Sequence, residues 1–175
     1  MALYYSVDNC INWIPIVCDL EDVELFSVKS NVDASILIAV GMKGEVHSLY
    51  RSDDSGATWE DLEIFGTYSF SDDVIKIVVG GIGGLYLSTD SGESFELVSE
   101  ENVADCKISN DGLKIFVAVG GESSKIITSI DDGETWQEEL PAAIPLVFPH
   151  VWKCIDCSED GKVVITGYCI LPSPS

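Results

Sequence analysis

The stretch that decides the fold is Ser52-Asp53-Asp54-Ser55-Gly56-Ala57-Thr58-Trp59, because its pattern returns along the chain. The pattern is Ser-x-Asp-x-Gly-x-Thr/Ser-aromatic, and we call each copy a box. Box 1 is residues 52–59, box 2 is 88–95, box 3 is 129–136, and an altered box 0 is 6–13. Their first residues lie 46, 36 and 41 positions apart. A recurring period of this length indicates a repeat architecture.

Each box has the chemistry of a hairpin turn. The Asp accepts hydrogen bonds from turn N–H groups, and the hydroxyls bond locally. Glycine supplies a positive φ, and the aromatic residue buries a large apolar area. In box 0, Cys10 replaces the glycine and Asn12 replaces the threonine. The residues that we assign to this structural role are Ser6, Asp8, Trp13, Ser52, Asp54, Gly56, Thr58, Trp59, Ser88, Asp90, Gly92, Ser94, Phe95, Ser129, Asp131, Gly133, Thr135 and Trp136.

The segments between boxes are typical of short strands. Apolar, β-branched runs occur at 36–40, 74–79, 114–119 and 162–166, and no amphipathic helical pattern interrupts them. Each repeat contains strands A, B and C, then a box, then strand D, as at 59–65. An acidic turn with glycine joins A to B at 109–112 and 158–161. These features predict an all-β chain of four-stranded antiparallel blades, that is, a small β-propeller.

The phase of the repeat predicts how the propeller closes. The chain begins in strand C at 2–5 and ends after strands A and B at 151–168. We therefore expect one domain, 1–175, with four blades at 23–65, 66–99, 102–140, and 150–170 joined to 3–20. Strands from both termini would close the ring and remove open edges. The alternative is a larger ring of two chains; the high effective concentration of an intramolecular partner favours self-closure.

The boxes resemble the Asp-box (BNR) repeat of β-propellers, a family that includes sialidases, sortilin-type receptors, photosystem assembly factors and binding proteins. Boxes 1 and 3 match fully, box 2 has Ser94 and Phe95 as mild substitutions, and box 0 matches weakly. The resemblance implies that the boxes lie at the blade periphery, away from the central binding surface. The competing interpretation is that their aspartates bind calcium or substrate.

Charge restricts the partners. The net charge is −21, from 30 acidic against 9 basic residues, which excludes nucleic acid and anionic membrane surfaces as partners. A basic partner or a self-repelling soluble surface suits this balance. The sequence contains no apolar run of 18 residues, so we predict no membrane insertion. Residues 1–5 show no pattern of a signal peptide. We expect a cytoplasmic or virion-associated protein rather than a secreted one.

Candidate catalytic groups are few. The resemblance implies a comparison with sialidases, which hold a substrate carboxylate with three arginines. This chain has one arginine, Arg51, beside box 1. His47 and His150 are the only histidines, and we interpret both as ordinary strand residues. We therefore predict no enzyme; the alternative is a glycoside hydrolase-like enzyme, or a fragment of one, using paired carboxylates.

No cofactor or metal is expected either. Cys154 and Cys157 have the spacing of one of the two ligand pairs of a zinc site. Residues three positions apart on a strand point to opposite faces, however, and only His150 is near. Buried free thiols in a reducing compartment suit all six cysteines better. Residues 80–84 are glycine-rich, yet a strand follows them, which favours a tight hairpin over a phosphate loop.

One apolar, proline-rich segment, 140–150, breaks the repeat. Its residues Ile144, Leu146, Val147 and Phe148 are candidate partner contacts; they would otherwise cap the core. The sequence thus predicts a non-catalytic binding or assembly module, monomeric or homodimeric. Its loops would face a protein or glycan partner, within a larger complex or a virion.

Overall fold

The computed structural model describes residues 3–121, 124–139 and 150–170, and strands dominate them. The contacts between residues group the chain into two compact units, Met1–Phe65 and Gly66–Ser175. The strands are β1 (Leu3–Tyr5), β2 (Ile14–Ile16), β3 (Val23–Ser30), β4 (Leu37–Lys43), β5 (Val46–Ser52), β6 (Glu60–Asp61), β7 (Thr67–Phe70), β8 (Ile77–Gly81), β9 (Gly84–Ser88), β10 (Glu96–Ser99), β11 (Val103–Ile108), β12 (Ile115–Val119), β13 (Lys125–Ser129), β14 (Gln137–Glu139), β15 (His150–Cys157) and β16 (Val164–Ile170).

The first unit holds one complete blade and one hairpin. Strands β3-β4-β5-β6 form an antiparallel sheet in chain order, and β1 pairs with β2. The interior strand β4 is apolar, as a strand covered on both faces must be. One core cluster of this unit joins Leu20, Val23, Ala39 and Tyr50, with Trp59 of box 1 packed against them.

The second unit repeats this arrangement. The orders β7-β8-β9-β10 and β11-β12-β13-β14 are again four-stranded and antiparallel, and β15 pairs with β16. The predicted all-β propeller fold, with blades of four antiparallel strands, is confirmed.

Strand β12 shows why the interior strands are apolar throughout. Its side chains alternate between two faces. Ile115, Val117 and Val119 join a cluster with residues of β8 and β9, whereas Phe116 and Ala118 pack with residues of β15. All five are buried because each face meets a neighbouring sheet.

Several strand boundaries differ from the prediction, as where the run 162–166 becomes β16 at Val164–Ile170. The run 74–79 begins inside a turn, and β8 starts only at Ile77. The strand predicted at 59–65 is reduced to Glu60–Asp61, because the chain turns just after it: Glu63 has φ +53°, and its N–H donates to Asp61 Oδ1 at 2.9 Å. The single-domain boundaries, and the joining of β15–β16 with β1–β2 into one blade, stay predictions. Across the described ranges, no helix is long and apolar enough to span a membrane.

Candidate functional site

Box 1 is a closed hydrogen-bond network. Ser52 Oγ donates to Asp54 Oδ1 at 2.9 Å and accepts from the Gly56 N–H at 2.8 Å. Asp54 Oδ1 also accepts from the Thr58 N–H at 2.8 Å, and its Oδ2 accepts from the Thr58 hydroxyl at 2.7 Å. Gly56 has φ +94°, and its carbonyl accepts from the Trp59 indole at 2.9 Å.

Boxes 2 and 3 repeat the serine and aspartate bonds of this network, and box 3 also repeats the bond of the tryptophan indole. Ser88 and Ser129 bind the main-chain N–H groups of Gly92 and Gly133, both at 2.9 Å. Asp90 binds the N–H and hydroxyl of Ser94, and Asp131 binds those of Thr135. The Trp136 indole donates to the Gly133 carbonyl at 3.0 Å, as Trp59 does in box 1.

Box 0 makes the same network despite its altered sequence. Ser6 Oγ donates to Asp8 at 2.8 Å and accepts from the Cys10 N–H at 3.0 Å. The Asn12 side-chain amide donates to Asp8 Oδ2 at 2.6 Å, in the place of the threonine hydroxyl. Cys10 takes the positive φ, +65°, that glycine takes in the other boxes. Box 0 therefore keeps the serine and aspartate bonds of the network without a glycine.

These bonds lower the pKa values of the box aspartates. The N–H and side-chain amide of Asn12, followed by Ser6, hold the pKa of Asp8 at about 2. The N–H and hydroxyl of Thr58 lower that of Asp54, and the hydroxyl and N–H of Thr135 lower that of Asp131. Donors that bind the ionised form favour it. Both oxygens of each carboxylate already accept donors of the same box, which leaves few ligand positions for calcium.

A second repeated turn joins strands A and B at 31–36, 71–76, 109–114 and 158–163; we call these the AB turns. In the turn 71–76, Ser71 Oγ donates to Asp73 at 2.6 Å and accepts from the Lys76 N–H at 3.0 Å. The other three turns use Asn31 with Asp33, Ser109 with Asp111, and Ser158 with Asp160.

The fourth residue of every AB turn has positive φ. It is Ala34, Val74, Gly112 or Gly161, with φ between +56° and +74°. The sequence reveals two of these turns through their glycines and misses the turns of Ala34 and Val74. The shared Asp two residues after Ser or Asn was the signal that identifies all four.

Within the second unit, the AB turns bond to one another. The Asp72 N–H donates to the Asn110 carbonyl and the Asn110 N–H to the Glu159 carbonyl, both at 2.9 Å. Lys76 Nζ donates to the Gly112 carbonyl at 3.3 Å and pairs with Asp132, while Lys114 Nζ donates to the Asp160 carbonyl at 2.6 Å. These lysines thus tie successive sheets together.

The residues considered as catalytic candidates make contacts that stabilise the fold. Arg51 is buried beside box 1 and pairs with Asp53 at 3.1 Å. His47 stacks on Phe26 with ring centroids 5.5 Å apart, and His150 pairs with Ile170 in the β15–β16 ladder. Burial, followed by the Asp61 carboxylate, raises the pKa of Tyr50, which opposes formation of a phenolate nucleophile.

The cysteines do not form a metal site in the described part of the chain. Cys154 is exposed, whereas Cys157 packs against the cluster of Phe116 and Trp152, so they point to opposite faces. The prediction that the cysteines are buried thiols is right for Cys106, where burial raises the pKa to about 12. It is wrong for Cys10, Cys154 and Cys169, which are exposed. Within the described ranges, no group of three or more His, Cys, Asp or Glu side chains could hold a metal ion.

A concave apolar surface lies within the first unit. A groove of about 720 Å³ separates the β1–β2 hairpin from the blade β3–β6. Its walls include Leu3, Ile16, Val28 and Leu37, and Asp33 of an AB turn lies among them. The predicted contacts Ile144, Leu146, Val147 and Phe148 lie outside the described residues. The groove was not predicted, because it forms between residues that are distant in sequence.

Comparison with known proteins supports the architecture. No protein-family model matches the chain. An anhydrosialidase of Macrobdella decora is 27% identical over 156 residues, which cover 65% of this chain and 20% of that protein. The chain therefore spans about a fifth of the length of this curated relative.

Solved structures show the same fold. An ancestral GH74 enzyme matches with a TM-score of 0.62 and 16% identity, over 95% of this chain and 24% of that chain. YCF48 from Cyanidioschyzon merolae matches with a TM-score of 0.53 and 17% identity, over 94% of this chain and 60% of that one. The chain thus has a sialidase-like, Asp-box (BNR) β-propeller architecture.

Proposed function

We propose that this chain is a non-catalytic binding or assembly module that presents a propeller surface to a protein or glycan partner. The observation that carries the proposal is the use of its carboxylates. In the boxes and AB turns, aspartates bind the N–H and hydroxyl groups of their own turns. Among the described residues, the aspartates with a pKa below the ordinary value are Asp8, Asp33, Asp54, Asp73, Asp90, Asp111, Asp131, Asp156 and Asp160.

Glycoside hydrolysis needs the opposite electrostatics. A general acid requires a carboxyl group whose pKa is raised toward neutrality, opposed by a second carboxylate. A sialidase-type site also requires several guanidinium groups, and the single Arg51 is buried against Asp53. The likeness to GH74 structures, at 16% identity, concerns the fold and supplies no catalytic residue.

The alternative is a glycoside hydrolase-like enzyme, and one experiment separates the two. The purified chain is incubated with a fluorogenic sialoside and with xyloglucan oligosaccharides, and products are measured by fluorescence and mass spectrometry. In parallel, a glycan array and a peptide array are probed with the labelled chain. We expect saturable binding to one ligand class without product. Product formation that scales with protein concentration would contradict the proposal.

A further inference from the structure

Box 0 departs from the other boxes at its solvent-facing positions. The second and sixth residues of a box do not take part through their side chains in its hydrogen-bond network. In box 0 both are apolar and open to solvent: Val7 is 83% exposed and Ile11 is 77% exposed. The second residues of boxes 1 to 3 are Asp53, Thr89 and Ile130, and the sixth are Ala57, Glu93 and Glu134. The box fold therefore does not require apolar residues at either position.

The apolar surface of this hairpin extends beyond the box. Trp13 is 57% exposed, and Val17, just after β2, is 89% exposed. In boxes 1 and 3 the corresponding tryptophans are partly buried and donate to their glycine carbonyls. Val7 and Val17 also line the 720 Å³ groove. We call Val7, Ile11, Trp13 and Val17, with this groove, the box 0 patch.

Charge around the patch limits what can cover it. Residues 1–65 contain 12 acidic and 3 basic side chains. Asp33 lies in the groove wall, and the box hydrogen bonds keep Asp8 ionised. An apolar patch with Asp33 in its wall and Asp8 in the same hairpin is complementary to an apolar surface with a basic rim. A second copy of a chain of net charge −21 is a poor match because the two copies repel.

We propose that the box 0 patch docks an apolar segment of a partner protein flanked by lysine or arginine residues. This inference rests on the proposed binding function and names the partner chemistry for one surface. The apolar side chains of the segment enter the groove, and its basic residues face the carboxylates of Asp8 and Asp33.

The probe is a fluorescein-labelled 14-residue amphipathic peptide of leucine and lysine, with a leucine–glutamate peptide of the same pattern for comparison. Anisotropy is measured with the full chain and with the double variant Val7→Asp/Ile11→Glu. Asp53, Glu93 and Glu134 occupy these positions in other boxes, so the double variant retains a compatible box. The matched control is Ile130→Asp, which changes the second position of box 3, where Ile130 is 67% exposed.

We expect the leucine–lysine peptide to bind and the leucine–glutamate peptide not to bind. The double variant should bind about tenfold more weakly, because it loses apolar contact. It also gains two negative charges, so attraction of charge alone would strengthen binding. The control Ile130→Asp should change affinity less than about twofold, as expected for a residue outside the contact.

Three results would overturn the inference. The first is equal or tighter binding by the double variant, which would mean that charge alone attracts the peptide. The second is self-association of the wild type that the double variant abolishes, which would identify a second copy as the occupant. The third is absence of peptide binding together with saturable glycan binding; the patch proposal then fails, while the proposed binding function stands. Product formation from the oligosaccharides would instead overturn the proposed function.

Discussion

At the scale of single residues, box 0 shows how much substitution the turn tolerates. Cys10 adopts φ +65° without being glycine, a conformation that costs a non-glycine residue about 1–2 kcal/mol. Asn12 supplies an N–H donor where the other boxes have a hydroxyl. The network survives because the geometry needs a donor at that position and accepts either chemistry.

Removal of a box carboxylate should destabilise the protein. Asp131→Ala removes acceptors for Ser129 and for both donors of Thr135. We expect the free energy of unfolding to fall by about 2 kcal/mol, because several charge-assisted hydrogen bonds are lost. Urea denaturation followed by circular dichroism measures this change.

The matched control for that variant is Ile130→Thr, in the neighbouring position of the same box, where box 2 has Thr89. Since Ile130 is exposed, its replacement should change the free energy of unfolding by less than about 0.5 kcal/mol. Equal losses for Asp131→Ala and the control would show that the carboxylate network contributes little.

The box aspartates also make the stability of the fold depend on pH in the acid range. Asp8 has a folded pKa of about 2, lowered by its bonds from Asn12 and Ser6, against an unfolded value of about 4. A depressed carboxyl pKa stabilises the fold above the unfolded pKa, and this contribution is lost as pH falls through the folded pKa. We therefore expect the melting temperature to fall between about pH 4 and pH 2. Carboxyl NMR titration tests the cause; an Asp8 midpoint near 4 would refute it.

At the scale of elements, the AB turns determine how sheets of the second unit meet. Gly112 has φ +74°, and a Cβ there would lie 2.9 Å from Lys76 Cδ and 3.3 Å from Ser71 Cβ. Lys76 is itself held by the Gly112 carbonyl and by Asp132. A side chain at position 112 would therefore disturb the junction between two sheets as well as its own turn.

Two glycine variants separate these effects. Gly44 has φ +65° in the β4–β5 turn, and a Cβ there would meet nothing within 4 Å. Gly44→Ala should cost about 1 kcal/mol, from backbone strain alone. Gly112→Ala should cost about 2–3 kcal/mol, because strain is joined by crowding of Lys76. Chemical denaturation of both variants gives the difference, and equal costs would mean that Lys76 adapts freely.

At the scale of the whole molecule, the phase of the boxes predicts self-closure of the ring. Sedimentation equilibrium at low and high protein concentration tests this prediction. We expect a single species of 19.0 kDa at both concentrations, because an intramolecular strand partner outcompetes an intermolecular one. A concentration-independent dimer would instead favour the larger ring of two chains.

The all-β repeat, the boxes and most strand positions could be predicted from the amino-acid pattern alone. Box networks close within eight residues, so the pattern Ser-x-Asp-x-Gly contains nearly all the information that forms them. The AB turns of Ala34 and Val74 escaped prediction because their positive φ occurs without glycine.

The contacts between side chains of different sheets could not be predicted and are known from the folded chain. The bond from Lys76 to Gly112 and the division of β12 between two clusters join residues far apart in the chain. The apolar groove beside Val7 likewise depends on how a hairpin packs against a blade. The turns can be predicted from sequence because their hydrogen bonds join residues that are close in the chain. The surface proposed to bind a partner cannot, because packing between distant residues creates it.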